Sequence, residues 1–174
     1  MVRLETTRLV FRDHDLGDLD AYCAIESDPE YRSPQQVHSR KELERSFRNA
    51  VLKPRDLGLF ATIFKPENCY VGRCGLYPLR NARNELVPNE AFLAFYIGRP
   101  YWGRGIATEA GKAWVDFGFT TLGLTRIEAG VNADNDASLR VVEKLGFQRS
   151  RSGGTDGVRW HDFELRNPGN MSTA

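Results

Sequence analysis

The chain has little of what marks secreted, metal-bound or membrane-embedded proteins. Cysteine occurs three times in 174 residues, as Cys23, Cys69 and Cys74. An odd number without paired spacing supplies neither a disulfide framework nor a thiolate metal site, so these read as free thiols packed as small hydrophobes in a reducing compartment. His14, His38 and His161 also lack metal-ligand spacing, and no metal is expected. The N-terminus shows no hydrophobic signal region, and no apolar run approaches the roughly 20 residues that cross a bilayer. A cytoplasmic protein without membrane contact is the expectation. An excess of one charge is missing too. Lysine and arginine total 24 against 23 aspartates and glutamates, a formal charge of +1, which disfavours direct binding to nucleic acid. Linkers and internal repeats are absent. What is present, 41% hydrophobic and 11% aromatic residues, suffices for one core. Residues 1–166 are expected to form a single domain, with a disordered tail over 167–174.

The most informative stretch reads Tyr101-Trp102-Gly103-Arg104-Gly105-Ile106-Ala107-Thr108-Glu109-Ala110. Before it, Ala91 to Ile97 is a continuous apolar run, long enough for a strand buried on both faces. After it, Ile106, Ala110, Ala113, Trp114, Phe117 and Thr121 recur with helical spacing and make one stripe. Two glycines therefore stand where a strand stops and a helix starts, at the positive end of the helix dipole, where first-turn N–H groups lack partners. Such a turn accepts an anion. A glycine turn chosen only for sharpness is the alternative. A dinucleotide fingerprint needs a third glycine in register and a distant acid, and a Walker loop needs glycine, lysine and a hydroxyl residue at its own spacing. Neither pattern is present.

A second informative segment follows. Arg126 to Val131 reads as a strand, Asn132 to Asp136 as a loop with capping residues, and Ala137 to Leu145 as a helix closed by Lys144 and Gly146. Elsewhere, Asp15 caps a helix to about Ser27, and Ser39-x-x-Glu42 is a capping box for a helix that presents Leu43, Phe47, Ala50 and Val51 on one face and stops at Lys53-Pro54. Leu57 to Phe64 and Val71 to Tyr77 read as a meander, and Asn81 to Asn89 as a polar loop. The last strands are expected near Gln148–Arg151 and Val158–Leu165, separated by a loop over Ser152–Gly157.

The ordered set of buried strand, W-G-R-G-I-A-T-E-A, long helix, strand, N-D-A-S and K-L-G-F resembles the GCN5-related N-acetyltransferases, and most closely their ribosomal-protein N-terminal acetyltransferase branch. Leu4-Glu5-Thr6-Thr7-Arg8-Leu9-Val10-Phe11-Arg12 is similar to that branch's opening strand, and the order of elements matches to about Glu164. The resemblance implies an α+β fold, with a mixed, mostly antiparallel sheet of about seven strands flanked by about four helices. It implies acetyl-CoA as cosubstrate and an amine acceptor. Homodimers are common in that family.

Roles carry over residue by residue. Trp102 to Thr108 would wrap the pyrophosphate, with Gly103, Gly105 and Ala107 at closest approach and Ile106 and Thr108 in the same turn; Trp102 stands where the wider family often has Gln or Arg. Phe95, Tyr96 and Ile97 would pair with pantetheine through their backbone, as an added strand. Arg104, Arg140 and Lys144 are phosphate partners or else solvated charges. Asn135 would hold pantetheine or a bridging water, or simply cap its helix. Many relatives protonate the leaving thiolate with a tyrosine that here is Val142, so Ser138 in the Asn-x-x-Ser register is the candidate acid; a hydroxyl that merely bonds backbone is its alternative. A glutamate of that branch aligns with Phe92, leaving Glu90, on the same strand face, as the substitute base or a solvated strand-entry charge. Glu109 and Glu128 match the pattern too, with structural roles equally open.

Without a strong base, the acceptor's own acidity matters. A peptide α-amine is about 14% neutral at pH 7 and a lysine about 0.04%, a difference worth about 3.5 kcal/mol. That favours a protein N-terminal α-amine, as on a ribosomal protein. A small amine (an antibiotic, polyamine or amino acid) is the second reading, and an acetyl-CoA-binding module with little catalysis the third. Acceptor selection is expected from Glu30 to His38 and from Gly153 to Gly157.

Overall fold

The computed structural model describes residues 2–29, 38–53, 56–155 and 157–170. The segment from Glu30 to Val37, expected to select the acceptor, lies outside the described residues, as do Asp156 and the last four positions. The elements are β1 (Val2–Glu5), β2 (Leu9–Arg12), α1 (Leu19–Glu26), α2 (Arg40–Ser46), β3 (Gly58–Phe64), β4 (Cys69–Arg80), β5 (Leu86–Ile97), α3 (Ile106–Thr120), β6 (Arg126–Asn132), α4 (Asp136–Lys144), β7 (Gln148–Thr155) and β8 (Val158–Arg166). The strands form one eight-stranded sheet in the order β1-β2-β3-β4-β5-β6-β8-β7. It is mixed: β5 and β6 run parallel, while β1 with β2, β2 with β3, and β8 with both β6 and β7 are antiparallel.

The expected seven strands become eight because the opening strand is two. Thr6 N donates to Leu9 O at 2.9 Å, and Leu9 N to the Thr6 hydroxyl at 2.9 Å, closing a turn over Thr6-Thr7-Arg8. The chain comprises two compact units, Met1–Gly75 with Phe95–Ala110, and Leu76–Ala94 with Gly111–Ala174. In the first unit, Asp15 and Ser39 both close capping boxes. Tyr22, Cys23, Leu43 and Phe47 pack together with Leu19, Val51, Leu52 and Tyr70 around them. All seven residues of β3 are buried. Cys23 and Cys74 are buried free thiols, and burial pushes both upward in pKa.

In the second unit, the polar loop expected over residues 81–89 is a short turn, with Asn81 Oδ1 accepting from Arg83 N and Glu85 N, and β5 already begins at Leu86. Pro88, and Asn89 at φ 58°, break the alternation that would have marked a strand. The expected loop at 152–157 is largely strand. Gly153 and Gly154 pair with Trp160 and Arg159, and a Cβ on Gly153 would stand 2.7 Å from the Trp160 ring. Glycine there makes room for an indole laid across the strand. The tail boundary also moves. Asn167 donates through its side chain to Leu124 O at 3.0 Å and through its backbone to Thr125 O at 2.9 Å, and Pro168–Asn170 form a 3₁₀ turn.

Candidate active site

In the first unit, β5 ends at Ile97, a 3₁₀ turn spans Arg99–Tyr101, and α3 begins at Ile106. Gly103 and Gly105 sit at φ 72° and 73°, where a side chain costs roughly 1–2 kcal/mol. Space above them is open. A Cβ on Gly103 would meet nothing within 4 Å, and one on Gly105 only Arg8 Nη2 at 3.6 Å. The N–H groups of the first helical turn have no intrahelical acceptors, so the loop offers donors, positive dipole and unobstructed approach together. These residues fit a pyrophosphate. Ile106 is buried and anchors the loop, Ala107 and Thr108 are half-buried, and Trp102, Gly103, Arg104 and Gly105 face solvent.

The three residues expected to pair with pantetheine are not equivalent. Gly98 N donates to Val71 O on β4 at 2.9 Å, and a Cβ on Gly72 would stand 2.0 Å from Tyr96 O. Residues 96 and 98 therefore direct their amides toward β4, and alternation turns those of Phe95 and Ile97 to the other edge. Tyr96 has no backbone group left for an added strand there. The Ile97 carbonyl is also engaged, since Trp102 Nε1 donates to it at 2.6 Å. Among the described residues, the backbone groups left over on that edge are Phe95 N–H, Phe95 C=O and Ile97 N–H. Among the described residues, the parallel pairing of β5 with β6 covers Glu90–Phe92 with Arg126–Glu128 and goes no further, which leaves that edge open.

Arg104 is committed to Glu67 through Nη2 at 2.9 Å, and its guanidinium lies over the rings of Phe64 and Tyr101 at 4.7 and 5.3 Å. The hydrogen bond from Arg104 holds the Glu67 carboxyl below the usual range. Glu109, in the first turn of α3, faces the β1–β2 turn. Its Oε1 accepts from the Thr6 hydroxyl at 2.5 Å and from Arg8 N at 3.0 Å, and its Oε2 from Arg8 Nε at 2.6 Å. Burial pushes this carboxyl up, but the hydrogen bonds from Thr6 and Arg8 outweigh it and leave the group below its ordinary pKa. Sequence reasoning missed Arg8, Thr6 and Glu67. Arg8 and Thr6 lay within the family-like opening strand, but nothing local ties them to a helix 100 residues away.

In the second unit, Asn135 caps α4, its Oδ1 accepting from Ser138 N at 2.9 Å. Ser138 is half-buried, whereas Arg140 and Lys144 are exposed. Val142 is fully buried, so its position belongs to the core. Glu90 is not a free carboxylate. Arg126 donates to its Oε2 from Nη2 at 2.5 Å and from Nε at 3.1 Å, and also binds Glu128 and Glu164. Phe92 stands against Gly130, where a Cβ would lie 3.3 Å from the ring. Among the described residues no cluster of histidine, cysteine and carboxylate side chains suits a metal ion.

The sequence profile of the acetyltransferase (GNAT) domain matches residues 8–148. The chain belongs to the GNAT acetyltransferase family. It is 32% identical over 157 residues to the uncharacterized N-acetyltransferase p20 of Bacillus licheniformis, covering 86% of this chain and 84% of that one. A GNAT acetyltransferase structure from Bacillus anthracis superposes with a TM-score of 0.78 at 21% identity, over 95% of this chain and 98% of the other. Spermidine N-acetyltransferase from Vibrio cholerae, solved with CoA and spermine, superposes with a TM-score of 0.72 at 18% identity, over 93% and 97%. As a GNAT enzyme the chain is an acyltransferase that uses acetyl-CoA as cosubstrate, which sets aside the reading of a binding module without catalysis.

Proposed function

We propose that this GNAT enzyme acetylates a protein N-terminal α-amine, as the ribosomal-protein branch does. The observation that carries the proposal is the state of the carboxylates on β5 and its neighbours. Phe92 replaces the glutamate of that branch, and Glu90, Glu128 and Glu164 are all tied to Arg126. Deprotonating an amine through Glu90 would require breaking an ion pair. An acceptor that is already largely neutral near pH 7 avoids that cost, and an α-amine is several hundredfold better populated in its neutral form than a lysine.

In this reading the neutral nitrogen attacks the thioester carbonyl, the N–C bond forms and the C–S bond breaks. One amine proton leaves to solvent, through water. The departing CoA thiolate takes a proton from the Ser138 hydroxyl, which water then restores. Asn135 supports the role by fixing the first turn of α4. The open edge of β5 and the glycine loop hold the cosubstrate, so that binding and chemistry rest on different elements.

A small amine is the second reading, supported by the spermine in the Vibrio cholerae neighbour. CoA release from acetyl-CoA, followed by thiol detection over short N-terminal peptides, aminoglycosides, polyamines and amino acids, separates the two. Release with peptides that disappears on blocking their N-terminus supports the proposal; release with small amines alone refutes it. A homodimer belongs to the same proposal, and light scattering at twice the 19.7 kDa chain mass would support it.

A further inference from the structure

The β1–β2 turn delivers a guanidinium to the glycine loop. Arg8 is anchored on two sides: Nε donates to Glu109 Oε2 at 2.6 Å, and Nη1 donates to Arg104 O at 3.0 Å. Its backbone is fixed as well, with N donating to Glu109 and O accepting from Lys65 N at 2.9 Å. The remaining nitrogen, Nη2, is the atom 3.6 Å from the point a Cβ would occupy on Gly105. Among the described residues it has no acceptor, and the side chain is 38% exposed. Two of the three guanidinium nitrogens, Nε and Nη1, are therefore held by protein, while the third, Nη2, faces the space where the first-turn N–H groups of α3 collect.

The charges around the loop sharpen the point. Arg104 is balanced by Glu67, and its aromatic stacking occupies the guanidinium face. Arg8 is balanced by Glu109 but keeps an unused donor directed over the loop. A planar fork with preset orientation suits phosphate oxygens better than a mobile cation, because little rotamer freedom is lost when the bond forms. We propose that Arg8 is a contact residue for the pyrophosphate of acetyl-CoA, with Glu109 and Thr6 as the positioning residues that aim it. The proposal rests on the loop being the pyrophosphate site.

Calorimetric titration of the full chain with CoA and 3′-dephospho-CoA, beside kinetics with acetyl-CoA and acetyl-pantetheine, tests it. Arg8→Gln should weaken CoA and 3′-dephospho-CoA by the same factor, about tenfold to a hundredfold, and leave the KM for acetyl-pantetheine unchanged. Thr6→Val should weaken CoA severalfold alone and add nothing in the Arg8→Gln background. Unchanged CoA affinity in Arg8→Gln, an equal loss with acetyl-pantetheine, or a loss confined to CoA bearing the 3′-phosphate would each overturn the assignment. If Arg8→Gln does not fold, arginine modification by phenylglyoxal mapped by mass spectrometry on the unaltered protein decides. CoA should protect Arg8 and pantetheine should not; equal modification of Arg8 with and without CoA overturns the proposal. Failure of the unaltered protein to bind CoA would instead count against the loop's function.

Discussion

Ser138 lies in the first turn of α4, its amide held by Asn135 and its hydroxyl without a partner among the described residues. A hydroxyl placed this way has a proton to give and no structural bond to lose. Ser138→Ala should therefore lower kcat by about a hundredfold while leaving the Kd for CoA and the melting temperature in place. Full turnover with a good acceptor would remove Ser138 from the chemistry. The Asn135 cap on α4 was legible in the sequence because a cap and the first-turn amide it binds are three residues apart, whereas the acid role of Ser138 rests on the family resemblance. The engagement of Glu90 was not legible, since Arg126 reaches it only through the β5–β6 register. Nor did the apolar run around Phe95 reveal which amides face outward. That parity is set by Val71 and Gly72 on the neighbouring strand, and Trp102 then occupies one of the remaining carbonyls.

Elements fail and hold for similar reasons. Helix ends were readable from Ser39, Asp15 and Gly146 because capping is local, whereas the hairpin arms beyond Tyr77 and before Ala91 were hidden by polar residues that pair across strands. Gly72 shows how tightly two such strands meet. At φ 148°, and with Tyr96 O 2.0 Å from a built Cβ, Gly72→Ala should cost more than about 3 kcal/mol in urea unfolding or prevent folding. Gly103→Ala should cost only about 1–2 kcal/mol, because its surroundings are open, yet weaken CoA binding by placing a methyl group on the anion's path. The latch between α3 and the β1–β2 turn has a pH signature. Glu109 has a lowered pKa in the fold, so its stabilising contribution is complete above the ordinary glutamate value near about 4.3 and is lost as pH falls through the folded value. Glu109→Gln should be less stable than the parent by about 1–3 kcal/mol at pH 7, with the gap closing below about pH 4 in urea denaturation series.

For the whole molecule, the order of buried strand, glycine turn, long helix, strand and capped helix indicated the fold through its resemblance to the GCN5-related N-acetyltransferases, while each period and each cap marked only its own segment. Long-range bonds were not written in any such period. The Arg8–Glu109 pair joins residues 101 positions apart, and the Arg126 network gathers three carboxylates from three strands. On the proposed reading, with Glu90, Glu128 and Glu164 tied to Arg126, the acceptor supplies its own neutral nitrogen, and kcat/KM for a peptide should rise with pH through the α-amine range and level off near pH ~8. The most direct test uses one peptide that carries both a free N-terminus and an internal lysine, incubated with the enzyme and acetyl-CoA and mapped by mass spectrometry. Acetylation at the α-amine, with the lysine untouched, is the expected result. Acetyl groups on the lysine alone, or on spermidine but not on the peptide, would contradict the account.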